Sequence, residues 1–339
     1  MSRLYGKVPN DLIEEENKDE EEQSGFRTGR SCTDSIFCMK QVNEKRNVTN
    51  QEIHLLFVDL TKACDSIPIS KLWKVLGESN INYILIKTLQ NLYGNTAQVK
   101  IGNILAHPFN ITKGLRQGCC ISPTLFKIYL RKALEEWKRK CSGMCIPLES
   151  KTLCNLQFAD DQVVLSGDKE DLEYMTRKLK ETYEKWGLDM NLNKTKYLCI
   201  GETDSNLKLY KDSEIEFCQK YKYLGVIFDT SGTDNKEIRS RVIQARKCVA
   251  CLNGKLWSED IRKERKLNIY NALIESSLLY GSETWRHTEN KRWVEATEMD
   301  AVRRSSRISR KVRIRNVTIR QQIGLEAPIV KDIEQKQLT

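Results

Sequence analysis

The chain has 339 residues, enough for more than one compact unit, and 40% of them are hydrophobic, ordinary for a protein with a buried core. Its formal net charge of +10 suits anionic partners, above all nucleic-acid phosphates. No apolar stretch approaches the roughly 18 residues of a membrane-spanning helix, so no membrane partner is expected.

Residues 1–24 are polar, carry the acidic run Glu14 to Glu22, and read as a partly helical lead-in. Ile36, Phe37, Met39, Lys40 and Val42 predict a helix over 33–46 with these residues on one side. The nearly continuous apolar run His54 to Leu60 predicts a buried strand. Helices over 71–78 and 83–92 come next, then a strand pair, Ala97 to Ile101 with Phe109 to Thr112. Ser122-Pro123 opens a long helix to about Lys140, with proline at a permitted first-turn position. Leu153 to Ser166 predicts a hairpin. Lys169 to Trp186 predicts an amphipathic helix with Leu172, Met175, Leu179, Tyr183 and Trp186 on one face. Strands are expected at Lys196 to Ile200, Leu207 to Tyr210 and Tyr223 to Phe228. From Asn235 the pattern is helical only. Ile238, Val242, Ala245, Val249 and Leu252 mark one helix, Leu267, Tyr270, Ile274 and Leu278 another, and Trp293, Ala296, Met299 and Val302 a third. Trp257, Trp285 and Trp293 read as core anchors. The fold class is therefore a mixed α/β (α+β) body followed by a helical module.

Phe158-Ala159-Asp160-Asp161 falls at the tip of the predicted hairpin, and Asp59 ends the run Leu55-Leu56-Phe57-Val58. Carboxylates on the ends of neighbouring strands suit two Mg²⁺ ions roughly 4 Å apart, which clamp the attacking and leaving oxygens of phosphoryl transfer. Each piece also has a plainer use. Asp bonds its own backbone in turns, and an Asp after a strand can cap a helix. Arg303 to Arg315 holds seven Arg/Lys and no acid, which fits a phosphate backbone or a solvated helix face. Twelve cysteines with no secretory signal read as reduced thiols of a soluble intracellular protein. A full four-ligand zinc spacing is missing, since Cys141/Cys145 and Cys248/Cys251 have only His54, His107 and His287 to join them.

The order of motifs carries more than any one of them. LFVDLTKACDSI (Leu56 to Ile67) is followed by GLRQGCCISPTLFKIYL (Gly114 to Leu130), FADD, GLDMNLNKTKYLCIG (Gly187 to Gly201) and YKYLG (Tyr221 to Gly225). This series resembles the palm of reverse transcriptases of non-LTR (LINE-type) retrotransposons. GFRTGRSCTDSIF (Gly25 to Phe37) is similar to that family's fingers segment, and LLYGSETW (Leu278 to Trp285) with RRSSRISRKVRIRN (Arg303 to Asn316) extends the likeness beyond the palm.

The resemblance implies a right-hand polymerase palm with truncated fingers and a helical thumb-like module. The expected segments are an acidic lead-in (1–24), partial fingers and palm (25–228), thumb and start of a C-terminal extension (229–315), and a truncated extension (316–339). It implies an RNA-directed DNA polymerase, an internal piece of an endonuclease–reverse transcriptase polyprotein. The alternative is a catalytically dead remnant that only binds RNA or an RNA–DNA duplex. Asp59, Asp160 and Asp161, with the backbone carbonyl of Leu60, would hold two Mg²⁺ ions, Mn²⁺ being a substitute. Lys194 would protonate the departing pyrophosphate, although without the motif it reads as a solvated surface lysine. Cys64, Gln117 and Gly118 would lie against the incoming dNTP. Arg27 and Arg30, and the hairpin residues Tyr223, Leu224 and Gly225, would contact RNA template and DNA primer. Cys64 stands where the family usually has Phe or Tyr, which puts exclusion of ribonucleotides in question. Nuclear residence would follow from a retrotransposon role, and no oligomeric state is implied.

Overall fold

A computed structural model describes residues 2–17, 20–94, 96–148, 151–201, 205–211, 213–286 and 290–338. His287, and Asp19 of the acidic run, lie outside them. The chain divides into two compact units, Met1–Tyr221 and Lys222–Thr339.

The first unit is built on a four-stranded antiparallel sheet of β1 (Ile53–Val58), β2 (Asn155–Phe158), β3 (Asp161–Ser166) and β4 (Lys196–Ile200), in the order β4-β1-β3-β2. β1 is buried along its whole length because it is paired on both sides, with Leu56 opposite Val164 and Tyr197. Its side chains alternate between faces. Leu56 and Val58 join a core with two helices, α5 (Ser122–Cys141) and α6 (Lys169–Trp186), through Leu134, Trp137, Leu172, Met175, Leu179 and Tyr183. Trp137 is fully buried and donates its Nε1–H to the Met175 carbonyl at 2.9 Å, which satisfies the indole's polar end. Both ends of α6 are set locally. Asp168 caps it by accepting from the N–H groups of Glu170 and Asp171, and Gly187 closes it at φ 79°. The remaining larger helices of this unit are α1 (Ser2–Glu16), α2 (Cys32–Val48), α3 (Ile69–Glu78) and α4 (Tyr83–Tyr93).

Residues before Gly25 are part of this unit, where a separate lead-in was expected. Ile13 of α1 is in the core, and Glu20 and Glu22 both pair with Lys138 of α5. Gln23 forms a parallel bridge with Gln157, so Glu22–Gly25 runs along the outer edge of β2. The other outer strand, β4, is bordered by 216–218, where Tyr197 N–H donates to Glu216 and Cys218 N–H to Tyr197. Four further differences from expectation stand out. The 97–112 strand pair is two short ladders, with Ile101 and Ile104 largely exposed. Cys145 and Cys154 are bonded, because the pairing Ile146–Leu153 brings their Cα atoms to 4.5 Å. The reading of twelve reduced thiols therefore fails for this pair. The segment predicted as one strand, Tyr223 to Phe228, is a hairpin: Lys220–Tyr223 and Val226–Asp229 flank a turn at Leu224 (φ 45°) and Gly225 (φ 84°), and the unit boundary falls inside the first of these strands. Of the three tryptophans expected as core anchors, Trp257 and Trp293 are partly exposed and Trp285 is in the core.

The second unit is helical after this hairpin. Its core combines Ile238, Val242, Ala245 and Val249 of α7 (Asn235–Cys251) with Tyr270, Ile274 and Leu278, and with Met299 and Val302 of α9 (Lys291–Ser305); α8 (Lys263–Ile269) leads into the Tyr270–Leu279 stretch. The expected boundary at 315/316 has no counterpart. α10 (Asn316–Ile323) and α11 (Ile329–Leu338) bury Ile319, Ile323, Ile329 and Ile333 in the same core.

Candidate active site

The register Phe158–Asp161 leaves Ala159 and Asp160 as a two-residue turn between β2 and β3. Ala159 has φ 59° and Asp160 does not share the positive φ, the pattern of a type II′ turn, whose first central position favours glycine. A non-glycine residue held there costs about 1–3 kcal/mol and persists only where its surroundings enforce it. Val58 of β1 pairs with Gln162, so Asp59 stands one step further along, beside Asp161.

Asp59 is fixed from the other side. Its N–H donates to Thr195 Oγ1 at 3.2 Å and its C=O accepts from Asn191 N–H at 2.9 Å. Thr61 N–H donates to Asp189, while Leu60 bridges Met190. Because the flanking residues make these bonds, strand alternation turns the Leu60 carbonyl the opposite way, toward the β2–β3 hairpin. Lys194 follows Asn191 in the same turn, and its Nζ lies 3.9 Å from Asp59 Oδ2.

The carboxylates feel one another. Desolvation raises the Asp161 pKa above the ordinary carboxylate value, and the charges of Asp160 and Asp59 add to it. Desolvation likewise raises Cys64, helped by Asp160 and Asp65, and raises Tyr221, helped by Asp161 and Asp59. Tyr221 stacks on Phe57 at 4.1 Å between ring centroids. A folded-state pKa raised above the unfolded one makes stability fall as pH rises through the interval between the two. Asp161→Asn is therefore expected to raise the Tm of the metal-free protein at pH 7, with the gain shrinking toward pH 4. A Tm difference independent of pH would contradict this electrostatic reading.

Cys64, Gln117 and Gly118 come together in a second feature, a cavity of about 540 Å³ also lined by Lys7, Phe26 and Arg116. The Cys64 carbonyl accepts from Leu115 N–H at 2.9 Å, and the Gln117 amide approaches Asp65 at 3.4 Å. Arg27 and Arg30 are committed elsewhere: both pair with Glu21, and Arg30 lines a different cavity with Lys138 and Lys151. Tyr223, Leu224 and Gly225 belong to the second unit. There Tyr280 Oη–H donates to the Leu224 carbonyl at 2.7 Å and Arg241 donates to that of Gly225.

Gln23 and Lys7 lie outside the motifs quoted from the sequence, and Gly25, Thr195 and Tyr221 lie inside them without a role expected at the site. Thr195 was the most legible, since NLNKT is a plausible Asn-led turn directly before β4. Gln23 is hidden at the end of an acidic run.

The donor set fits a hard divalent cation. It comprises carboxylate oxygens from two adjacent strands and a backbone carbonyl turned toward them, with one carboxyl destabilised as an anion until countercharge arrives.

An antiparallel sheet backed by two helices, with acids at one end of its central strands, is the palm of a nucleic-acid polymerase. A family model described as reverse transcriptase (RNA-dependent DNA polymerase) matches residues 1–228, and the chain belongs to that family. Its curated relatives are non-LTR retrotransposon proteins. The Pol polyprotein of type-1 retrotransposable element R2 from Bradysia coprophila is 24% identical over 54% of this chain and 22% of its own length. The probable RNA-directed DNA polymerase from transposon X-element of Drosophila melanogaster is 21% identical over 81% of this chain and 30% of its own. Among the curated relatives it matches, the chain spans 20% to 50% of their length. In fold it is similar to telomerase from Candida tropicalis in complex with a TWJ fragment of telomeric RNA, with a TM-score of 0.50 and 12% identity over 99% of this chain and 56% of that one. No helix among the described residues is long and apolar enough to cross a membrane.

Proposed function

We propose that this chain is an RNA-directed DNA polymerase that extends a DNA primer on an RNA template. The observation that carries the reading is the convergence of Asp59, Asp160 and Asp161 at one end of adjacent strands, with Lys194 beside Asp59. In this reading the three carboxylates and the Leu60 carbonyl hold two Mg²⁺ ions. When bound, these lower the barrier by countering charge on the primer 3′-oxygen and on the leaving phosphate oxygen. The residues do the rest. The primer 3′-OH releases its proton to solvent as its oxygen bonds the α-phosphorus of a dNTP, the bond to pyrophosphate breaks, and protonated Lys194 gives the leaving oxygen a proton. Gln117 and Gly118 orient the nucleotide, with Lys7 and Arg116 supplying positive charge to the same cavity. The Leu224-Gly225 turn holds the primer end. The exposed Lys311, Arg313 and Arg315 meet phosphates without reading sequence. Action in the nucleus belongs to the same proposal.

The test is Mg²⁺-dependent extension of oligo-dT on poly-rA. Incorporation supports the polymerase reading; salt-sensitive duplex binding without incorporation leaves only the binding alternative. The nucleotide comparison adds a prediction. With Cys64 in place of an aromatic ring, the wild type is expected to discriminate weakly between dTTP and rUTP. Cys64→Phe should improve discrimination roughly ten- to two-hundredfold, the scale on which a pocket senses a small group. Equal ratios of kcat/KM in both proteins would remove Cys64 from sugar selection.

A further inference from the structure

Gln23 is 5% exposed, and every polar atom of its amide is directed at the carboxylate hairpin. Its Oε1 accepts from Ala159 N–H at 3.1 Å and from Gly25 N–H at 2.8 Å. Its Nε2 donates to Gln157 Oε1 at 3.2 Å and reaches the Ala159 carbonyl at 3.4 Å. One side chain thus addresses both backbone polar groups of the residue at φ 59°. Backbone bonds on either side hold Gln23 itself: Ser24 N–H donates to Gln157, and Gln157 N–H to Glu22. Gly25 closes the contact. A Cβ there would lie 2.0 Å from the Ala159 nitrogen and 2.8 Å from the Phe158 carbonyl carbon, so the segment seats directly on the turn only because this residue has no side chain.

We infer that Gln23 is a positioning residue for the metal-binding carboxylates, clamping Ala159 in its left-handed conformation and so aiming Asp160 and Asp161. The inference rests on the metal-binding reading proposed above. Alanine prefers negative φ. Released from the clamp, the peptide between Ala159 and Asp160 can rotate, and the Asp160 carboxylate leaves the side shared with Asp59. A small divalent cation tolerates such displacement poorly, because it demands near-ideal ligand geometry. Groups that orient metal ligands without touching the metal are typically worth 10–100-fold in affinity.

The test uses the full chain and Mn²⁺ binding followed by electron paramagnetic resonance, with hydrogen exchange at the Ala159 amide as a second readout. Gln23→Ala is expected to weaken Mn²⁺ binding about tenfold or more and to speed exchange at Ala159. Ala159→Gly added to Gln23→Ala should recover most of the affinity, since glycine adopts positive φ unaided. A purely space-filling role for Gln23 gives no such rescue. Should Gln23→Ala fail to fold, Gln23→Met fills the space without the amide and is expected to show the same loss. Wild-type affinity and exchange in a folded Gln23 variant would overturn the clamp while leaving the metal site standing. If Asp160→Asn binds Mn²⁺ as the wild type does, the metal reading itself falls, and this inference with it.

Discussion

Asp160→Asn is expected to cut nucleotide incorporation by at least about 10²–10³-fold, the scale on which loss of one electrostatic stabiliser slows an enzyme. Asp160 is the second residue of a two-residue turn and is exposed, so its side chain holds up no core. Asparagine keeps its size and its tolerance of turn geometry. What changes is one negative charge beside Asp161 and Cys64, both of which feel it. The folded state should therefore survive while the capacity to hold countercharge falls. Primer extension gives the rate and circular dichroism the fold. Activity within tenfold of wild type, in a folded variant, would mean that the reacting centre lies elsewhere.

Removing the guanidinium of Arg320 should destabilise the second unit by about 3–5 kcal/mol, the cost of breaking a buried ion pair from one side. Arg320 on α10 donates to Glu298 of α9 at 2.6 Å, and Glu298 also accepts from Ile329 N–H, the first residue of α11, at 3.1 Å. The Glu298 side chain is 1% exposed. Burial pushes its pKa up, and Arg320 pulls the other way. In Arg320→Ala the opposing charge is gone, so the glutamate binds its proton more tightly in the folded state. A carboxyl with a raised folded-state pKa loses stability as pH rises, so the defect should be larger at pH 8 than at pH 5. Hydrogen exchange across 291–338 would localise the loss. The double variant Arg320→Met with Glu298→Leu should recover much of it, because no charge is then left buried alone. Equal instability at both pH values would point to lost packing.

These cases show what the sequence made legible. The spacing of Leu172, Met175, Leu179, Tyr183 and Trp186 placed one face of α6; the core contains the first four, and Trp186 packs against it partly buried. The apolar run before Asp59 marked a strand buried on both faces. FADD was readable as a hairpin tip because β2 and β3 alternate around it with no residues to spare. Illegible features depended on partners distant in sequence. Nothing in EEEQSGF says that Gln23 will meet Ala159, and charge alone could not say that Arg27 and Arg30 would be drawn to Glu21. The basic block misled in a related way. Arg303 bonds the Ile314 carbonyl and Arg304 pairs with Asp300, so part of its charge shapes the second unit. By residue pattern Tyr223 to Phe228 read as one strand, since the positive φ of Leu224 is invisible in a leucine; only the family resemblance marked Tyr223-Leu224-Gly225 as a hairpin.

The irregular segments along the two outer strands of the sheet have a consequence for solubility. A bare strand offers a row of unused N–H and C=O groups on which another chain can pair. Here Glu22–Gly25 occupies that row beside Asn155–Phe158, and 216–218 occupies it beside Tyr197. Both outer strands thereby have backbone groups taken up, at Gln157 on one side and at Tyr197 on the other. The first of these flanks is the same short stretch that touches the carboxylate hairpin, so a shortened version beginning at the GFR motif would present a sticky template to its neighbours. Self-association, visible by light scattering before any assay is run, would be the first sign that the segment had been lost.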